Sequence, residues 1–177
     1  MANTQTDLLQ SGSAIISEDG RYRYELRRWW GSGPMVMFAG LNPSYADAQI
    51  NDPTIRRCCG FARLWGFDGI IMVNMYAFRS TDPKRLRDVL DPVGSLNDVH
   101  VLKAASSAGC IVACWGTPGG PSGARSFEPG STPMVDLLGD YEVKCLGLNN
   151  DGSPKHPLYL RSDTKLESFK SWGMLQM

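Results

Sequence analysis

Asn42, Asn74 and His156 have the types and settings that best suit chemistry on a polar ligand. Asn74 interrupts the apolar run IIMVNMYAF (residues 70–78), and a buried carboxamide without partners costs about 1–3 kcal/mol. It either ties down a neighbouring loop or reads a ligand. One carboxamide offers a donor beside an acceptor, which is the pattern that the edge of a purine or pyrimidine requires. His156, one of two histidines, lies in a polar loop between Lys155 and Pro157. A neutral imidazole there can donate to a developing oxyanion, and a charged one can protonate a leaving group. Asn42 stands in Gly40-Leu41-Asn42-Pro43, where a tight turn lets the following backbone N–H groups point at a ligand. Asn42, Ser44, Asp47 and Asp52 compete for a third role: an Asn can hold a water, and an Asp can deprotonate one. Asp52 suits a helix cap, which leaves Asp47 as the better base.

The elements that must position these residues read as a mainly parallel sheet. Four apolar runs have the continuous character of buried parallel strands: MVMFAG (35–40), GIIMVNMYAF (69–78), CIVACWG (110–116) and YEVKCLGL (141–148). Each ends in polar residues: GLNPS after the first, Asn74 in the second, Trp115-Gly116 in the third, and NNDGSPKHPLY after the fourth. In such sheets the ligand site lies beyond the carboxyl ends of the strands. Asp52-Pro53 starts a helix, in which Ile55, Cys58, Cys59, Ala62 and Trp65 recur at helical spacing and Arg56, Arg57 and Arg63 are left more exposed. Further helical stretches are expected near 82–90, 95–108 (which carries His100) and in part of 120–139, whose first half is a Gly- and Pro-rich loop.

The expected architecture is a single α/β domain over 13–177, three layers α/β/α around a four-stranded, mainly parallel sheet. Residues 1–12 are expected to be loose. Between Ser13 and Trp30 two β segments flank the turn Glu18-Asp19-Gly20, an N-terminal hairpin or edge strand. Simple alternation puts Tyr22, Tyr24, Leu26 and Arg28 on one face, and Arg21, Arg23, Glu25 and Arg27 on the other. The charged face is either solvated or a contact for phosphates.

Composition narrows the function. Lys plus Arg and Asp plus Glu both number 18, so any nucleic-acid contact should be local and modest, without the basic surplus of a duplex clamp. No run approaches the roughly 20 apolar residues of a membrane span, and no secretory leader is visible, so a cytoplasmic monomer without a membrane partner is expected. The five cysteines lack the paired spacing of a metal site and read as buried hydrophobes; no metal and no cofactor are expected.

The landmarks Gly40-Leu41-Asn42-Pro43, Asn74, Trp115-Gly116 and His156-Pro157 resemble, in type and order, those of the uracil-DNA glycosylase superfamily, with the first motif closest to its mismatch-specific branch. The chain also looks like an uncharacterised bacterial and phage family, domain-of-unknown-function 1643, whose GLNPS-x-AD, DPT, WG and HPLY strings it carries over nearly its whole length. The glycosylase resemblance implies hydrolysis of the N-glycosidic bond of a modified or mismatched base, or nucleotide, flipped into a pocket. In that reading Asn42 positions the water, with Asp47 polarising it. Phe61 or Tyr45 stacks on the base beside Ser44, Asn74 reads its edge, and His156 stabilises the departing base anion. Arg56, Arg57 and Lys155 would meet phosphates of DNA or a nucleotide, and Leu158 would be the wedge. Two departures stand out: Asn42 replaces the Asp of the fastest enzymes, and HPLYLRS lacks the early serines that pinch phosphates. The alternatives are a catalytically inactive nucleotide or modified-base binder, and a base-modifying transferase on the same fold.

Overall fold

The computed structural model describes residues 10–128 and 130–169. Seven strands form one mixed sheet: β1 (Ser11–Ile16), β2 (Arg23–Trp29), β3 (Met35–Gly40), β4 (Gly69–Asn74), β5 (Cys110–Ala113), β6 (Val143–Cys145) and β7 (Glu167–Ser168), in spatial order β1-β2-β4-β3-β5-β6-β7. The pairs β4/β3, β3/β5 and β5/β6 are parallel, while β1/β2, β2/β4 and β6/β7 are antiparallel. The expected four-stranded parallel sheet is therefore the centre of a larger one. The N-terminal hairpin extends it through β2, which pairs with β4 from Leu26 opposite Met72 to Trp29 opposite Gly69. On the other side, β7 is two residues long, too short to show any periodicity. Strand β1 begins at Ser11, inside the stretch expected to be loose; residues 1–9 of that stretch lie outside the described residues.

Side chains on alternate sides of the central strands build two cores. Val36, Phe38, Ile70, Met72 and Val112 meet helix α1 (Pro53–Leu64) through Ile55, Cys58, Cys59, Phe61 and Ala62. Met37, Ala39, Ile71, Val73, Ile111 and Ala113 meet α2 (Asn97–Ser107) through Val101, Ala104 and Ala105. The three layers follow from this alternation. Helix α1 starts as its sequence requires, with Pro53 in the first turn and the Asp52 carboxylate accepting from Ile55 N–H at 2.8 Å. The stretch near 82–90 forms a 3-10 helix over Pro83–Asp88 instead of an α-helix, and 120–139 contains only the one-turn α3 (Met134–Leu137).

The hairpin departs from simple alternation. Ile15 opposes Glu25 and Ile16 opposes Arg23, so Tyr24 is an extra residue in β2. Such a bulge shifts the phase of a strand by one residue. Tyr24 accordingly stacks on His100 of α2, with ring centroids 5.3 Å apart, while Arg23 turns to the side of Leu26 and Arg28. Strand β2 is also interior, paired on both edges, and of the expected charged face Arg23 and Glu25 are buried and Arg27 is half-buried, leaving Arg21 exposed.

Phe61, expected as a base-stacking candidate, is 1% exposed and stacks on Trp65 at 5.3 Å, with the Arg57 guanidinium 4.8 Å from its ring centre. Phe61→Ala should therefore lower unfolding stability by about 3–5 kcal/mol in urea titrations, as truncation of a buried aromatic does, without changing ligand affinity of the folded protein.

Candidate functional site

Beyond the carboxyl ends of β3, β4, β5 and β6 the loops enclose a cavity of about 760 Å³, within the roughly 300–1,000 Å³ of small-molecule and cofactor sites. Its walls come from the segment after β3 (Gly40, Leu41, Asn42 and Ser44), the end of β4 (Met72 and Asn74), Trp115 to Pro118 after β5, and Lys155 and His156 in the loop after β6. Arg23, Asp52, Ser80 and Tyr159 complete it.

Asn74 is 1% exposed, and neither its Oδ1 nor its Nδ2 has a protein partner. The loop-tying alternative for this side chain therefore has no hydrogen bond to support it. Strand register sets Gly40 directly beside Asn74, and a Cβ on Gly40 would stand 2.8 Å from Asn74 Oδ1 and 2.6 Å from the Met72 methyl. Glycine is needed there for close approach. The Asn74 backbone is held from the opposite layer: Asn97 Nδ2, in the first turn of α2, donates to the carbonyls of Asn74 at 2.9 Å and Met75 at 3.2 Å. This fixes the end of β4 while its side chain stays free to bond a ligand.

Asn42 is oriented by its amide nitrogen, which donates to Ser80 O at 2.9 Å and Pro43 O at 3.2 Å. Among the described residues its Oδ1 receives no hydrogen bond, and it is the atom left for a ligand or a water. The segment after Asn42 is pinned almost entirely by guanidinium-to-carbonyl bonds. Arg23 Nη1 donates to Ala46 O at 3.0 Å, Arg28 Nη2 to the carbonyls of Asp47 and Ile50, and Arg79 to those of Ser44 and Tyr45. None of the three has a carboxylate within ion-pair distance among the described residues, and Arg23 differs from the other two because its Nε is buried without a partner. Burial pulls its guanidinium down to about 10, against the opposing pull of Asp52.

His156 opens a 3-10 turn over Pro157–Tyr159 and accepts from Leu158 N–H at its Nδ1, at 3.3 Å. A ring nitrogen that accepts is unprotonated, so the neutral ring carries its proton on Nε2. Burial lowers its pKa below the ordinary histidine value, partly opposed by Asp52, which keeps the ring neutral at pH 7. The loop is held in place by Gly116 N–H, which donates to Pro154 O at 3.0 Å, and by Lys155 N–H, which donates to Gly147 O at 3.0 Å. Gly116 has φ +74°, so the turn out of β5 that permits this bond strains any other residue.

Of the residues singled out from sequence, Asn42, Ser44, Asn74, Lys155 and His156 all line the cavity. Tyr45, Asp47, Arg56, Arg57, Phe61 and Leu158 do not. Asp47 closes a turn, its carboxylate accepting from the N–H groups of Gln49 and Ile50, which together hold its pKa below the usual carboxylate range. Asp52, read as a cap, both caps α1 and lines the cavity, so it is the carboxylate placed at the site. Tyr45 is half-exposed outside the cavity, whereas Tyr159 stands at its rim and is 86% exposed. Arg57 donates to Leu160 O and is occupied by the protein itself, and Arg56 borders a separate surface depression with Arg28 and Asn51. Sequence reading put Arg23 on a hairpin face that is either solvated or a contact for phosphates, and the bulge hid its place at the cavity; it missed Asn97, whose signal was an amide at the start of a helix facing β4.

Among the described residues no group of three or more His, Cys, Asp or Glu side chains is placed to hold a metal ion, and no helix is long and apolar enough to cross a membrane. No curated protein and no solved structure matches the chain. One family model does, over residues 23–158, from Arg23 at the cavity wall to Leu158 just past His156, and the chain thus belongs to the DUF1643 family of proteins of unknown function.

Proposed function

We propose that the cavity receives a nucleobase and that the protein hydrolyses the N-glycosidic bond linking that base to its sugar. The observation that carries this reading is the orphaned Asn74 carboxamide, a donor and an acceptor with no protein partner, beside the glycine that makes room for it. Further support comes from the order of landmarks shared with the uracil-DNA glycosylase superfamily: Gly40, Asn42, Asn74, Trp115, Gly116 and His156 all line one cavity.

In this reading Asn74 pairs with the base edge and Asn42 Oδ1 accepts from a water, aiming its oxygen at the anomeric carbon. That oxygen bonds to the carbon as the carbon–nitrogen bond breaks, and the electron pair leaves with the base. His156 Nε2–H donates to the base oxygen on which charge develops. The proton released by the water ends on the departed base, so the net change adds hydroxyl to the sugar and hydrogen to the base. Asp52 is the carboxylate available to polarise the water, in place of Asp47. A second reading, recognition without turnover, is favoured by the fixed Asp47 turn, which removes the base expected beside Asn42.

Oligonucleotides carrying uracil, hydroxymethyluracil, hypoxanthine or mismatched thymine, and the matching free nucleotides, should release free base on incubation, read by alkaline strand scission or chromatography. Asn42→Ala should abolish release while retaining binding; release by neither substrate class, with ligand still bound, would favour the reader. Because His156 acts as a neutral donor, turnover should be flat from neutral to mildly alkaline pH and fall on acidification through its lowered pKa. A rate that instead rises on acidification would mean that the cation is the active form. Replacing Asn74 by Leu should raise thermal stability, since an unpaired buried amide costs about 1–3 kcal/mol, and should remove base binding. A fall in stability would show that the amide serves the fold.

A further inference from the structure

We propose that Arg23 is the seat for the phosphate of the ligand whose base meets Asn74, so that the substrate class is a free mononucleotide rather than a base in duplex DNA. This rests on the nucleobase reading of the same cavity. Arg23 is 2% exposed and lines the cavity, yet only Nη1 has a protein partner; Nε and Nη2 have none. A buried guanidinium with no carboxylate in ion-pair distance is costly unless something else supplies the negative charge. Neighbouring Arg28 and Arg79 show the contrast. Each has all of its guanidinium nitrogens donating to protein acceptors, which leaves nothing over for a ligand.

The chemistry of the opening is that of a planar fork meeting a phosphate, the geometry in which arginine binds two oxygens at once. Lys155 lines the cavity from the far side, beside Gly147 in the loop after β6 and with three strands between β6 and β2, which leaves Arg23 as the cation next to the Asn74 end of the cavity. Asp52 lines the cavity too and attracts the Arg23 guanidinium from beyond ion-pair distance, so a phosphate seated on Arg23 must be held by direct hydrogen bonds to the fork. The rest of the surface argues against a polymer. The chain is formally neutral, and Arg57, one of the arginines expected to meet DNA, is bound to Leu160 O and stacked on Phe61.

Calorimetric titration separates the possibilities. The probes are the five common 2′-deoxynucleoside 5′-monophosphates (the uracil one included), their nucleosides, inorganic phosphate, and single- and double-stranded oligonucleotides. At least one monophosphate should bind about tenfold or more tightly than its nucleoside, a preference typical of one charge-assisted pair. Arg23→Gln should erase that difference and leave nucleoside binding intact; Arg23→Lys should restore part of it. Since Arg23 also holds Ala46, Arg23→Lys serves as the second variant: its partial recovery, in protein shown to be folded by urea titration, assigns the loss in Arg23→Gln to the missing charge and not to lost structure. Equal binding of nucleoside and monophosphate, or tighter binding of an oligonucleotide than of any monophosphate, overturns the proposal and leaves the nucleobase reading standing. Tight binding of every monophosphate and of inorganic phosphate, unaffected by Asn74→Leu, overturns the nucleobase reading instead. Absence of binding by every probe overturns both.

Discussion

The parallel pairing of β3 with β4 is the interaction on which the rest of the site depends. Six consecutive rungs, from Met35 opposite Gly69 to Gly40 opposite Asn74, carry both strands out of the core in step. The last rung sets a residue with no side chain beside one with a carboxamide, and that juxtaposition opens the floor of the cavity. One residue of slip would place Gly40 beside Val73 or Met75 and turn every core side chain of the strand to the wrong layer. The burial of Val36, Phe38, Ile70 and Met72 against α1, and of Met37, Ala39, Ile71 and Val73 against α2, therefore holds the site in register through ordinary apolar packing.

Around that floor the protein relies on guanidinium groups bonded to peptide carbonyls, with few ion pairs. The segment 44–50 has three arginines donating to its main chain, so it is shaped by directional bonds in the absence of regular secondary structure. The arrangement gives partners to the carbonyls of an irregular, partly buried segment. It also concentrates positive charge behind one wall of the cavity in a chain whose formal charge is zero. Polarity here is local, set by which side chains turn inward.

Much of this was legible in the residue pattern because it depends on local rules. Continuous apolar runs marked the four parallel strands, Asp52-Pro53 marked the start of α1, and the rule that sites lie beyond strand carboxyl ends brought Asn42, Asn74 and His156 to one cavity. What escaped is non-local. Phe61 at helical spacing reads equally as a stacking platform or as core, and only the docking of α1 on the sheet decides, where Trp65 at the end of the helix stacks on both Phe61 and Phe38 of β3. Asp47 and Asp52 look alike as carboxylates, and only the path of the loop shows that the first is turned into its own backbone. The 3-10 turn at Pro83–Asp88 and the short α3 reflect Pro- and Gly-rich stretches where a few hydrogen bonds set the outcome.

The bulge at Tyr24 has an effect on how such a site can change. Because one supernumerary residue separates the parity of Arg23 from that of Glu25, the hairpin works as a phase shifter between the two faces of the sheet. Sliding the bulge by one position along β2 exchanges which neighbour looks into the cavity, replacing a cation by an aromatic ring without any substitution in the cavity loops. Charge in the wall of the cavity is thus a property of strand phasing, and variation within the hairpin can retune ligand preference while every loop that lines the cavity stays the same.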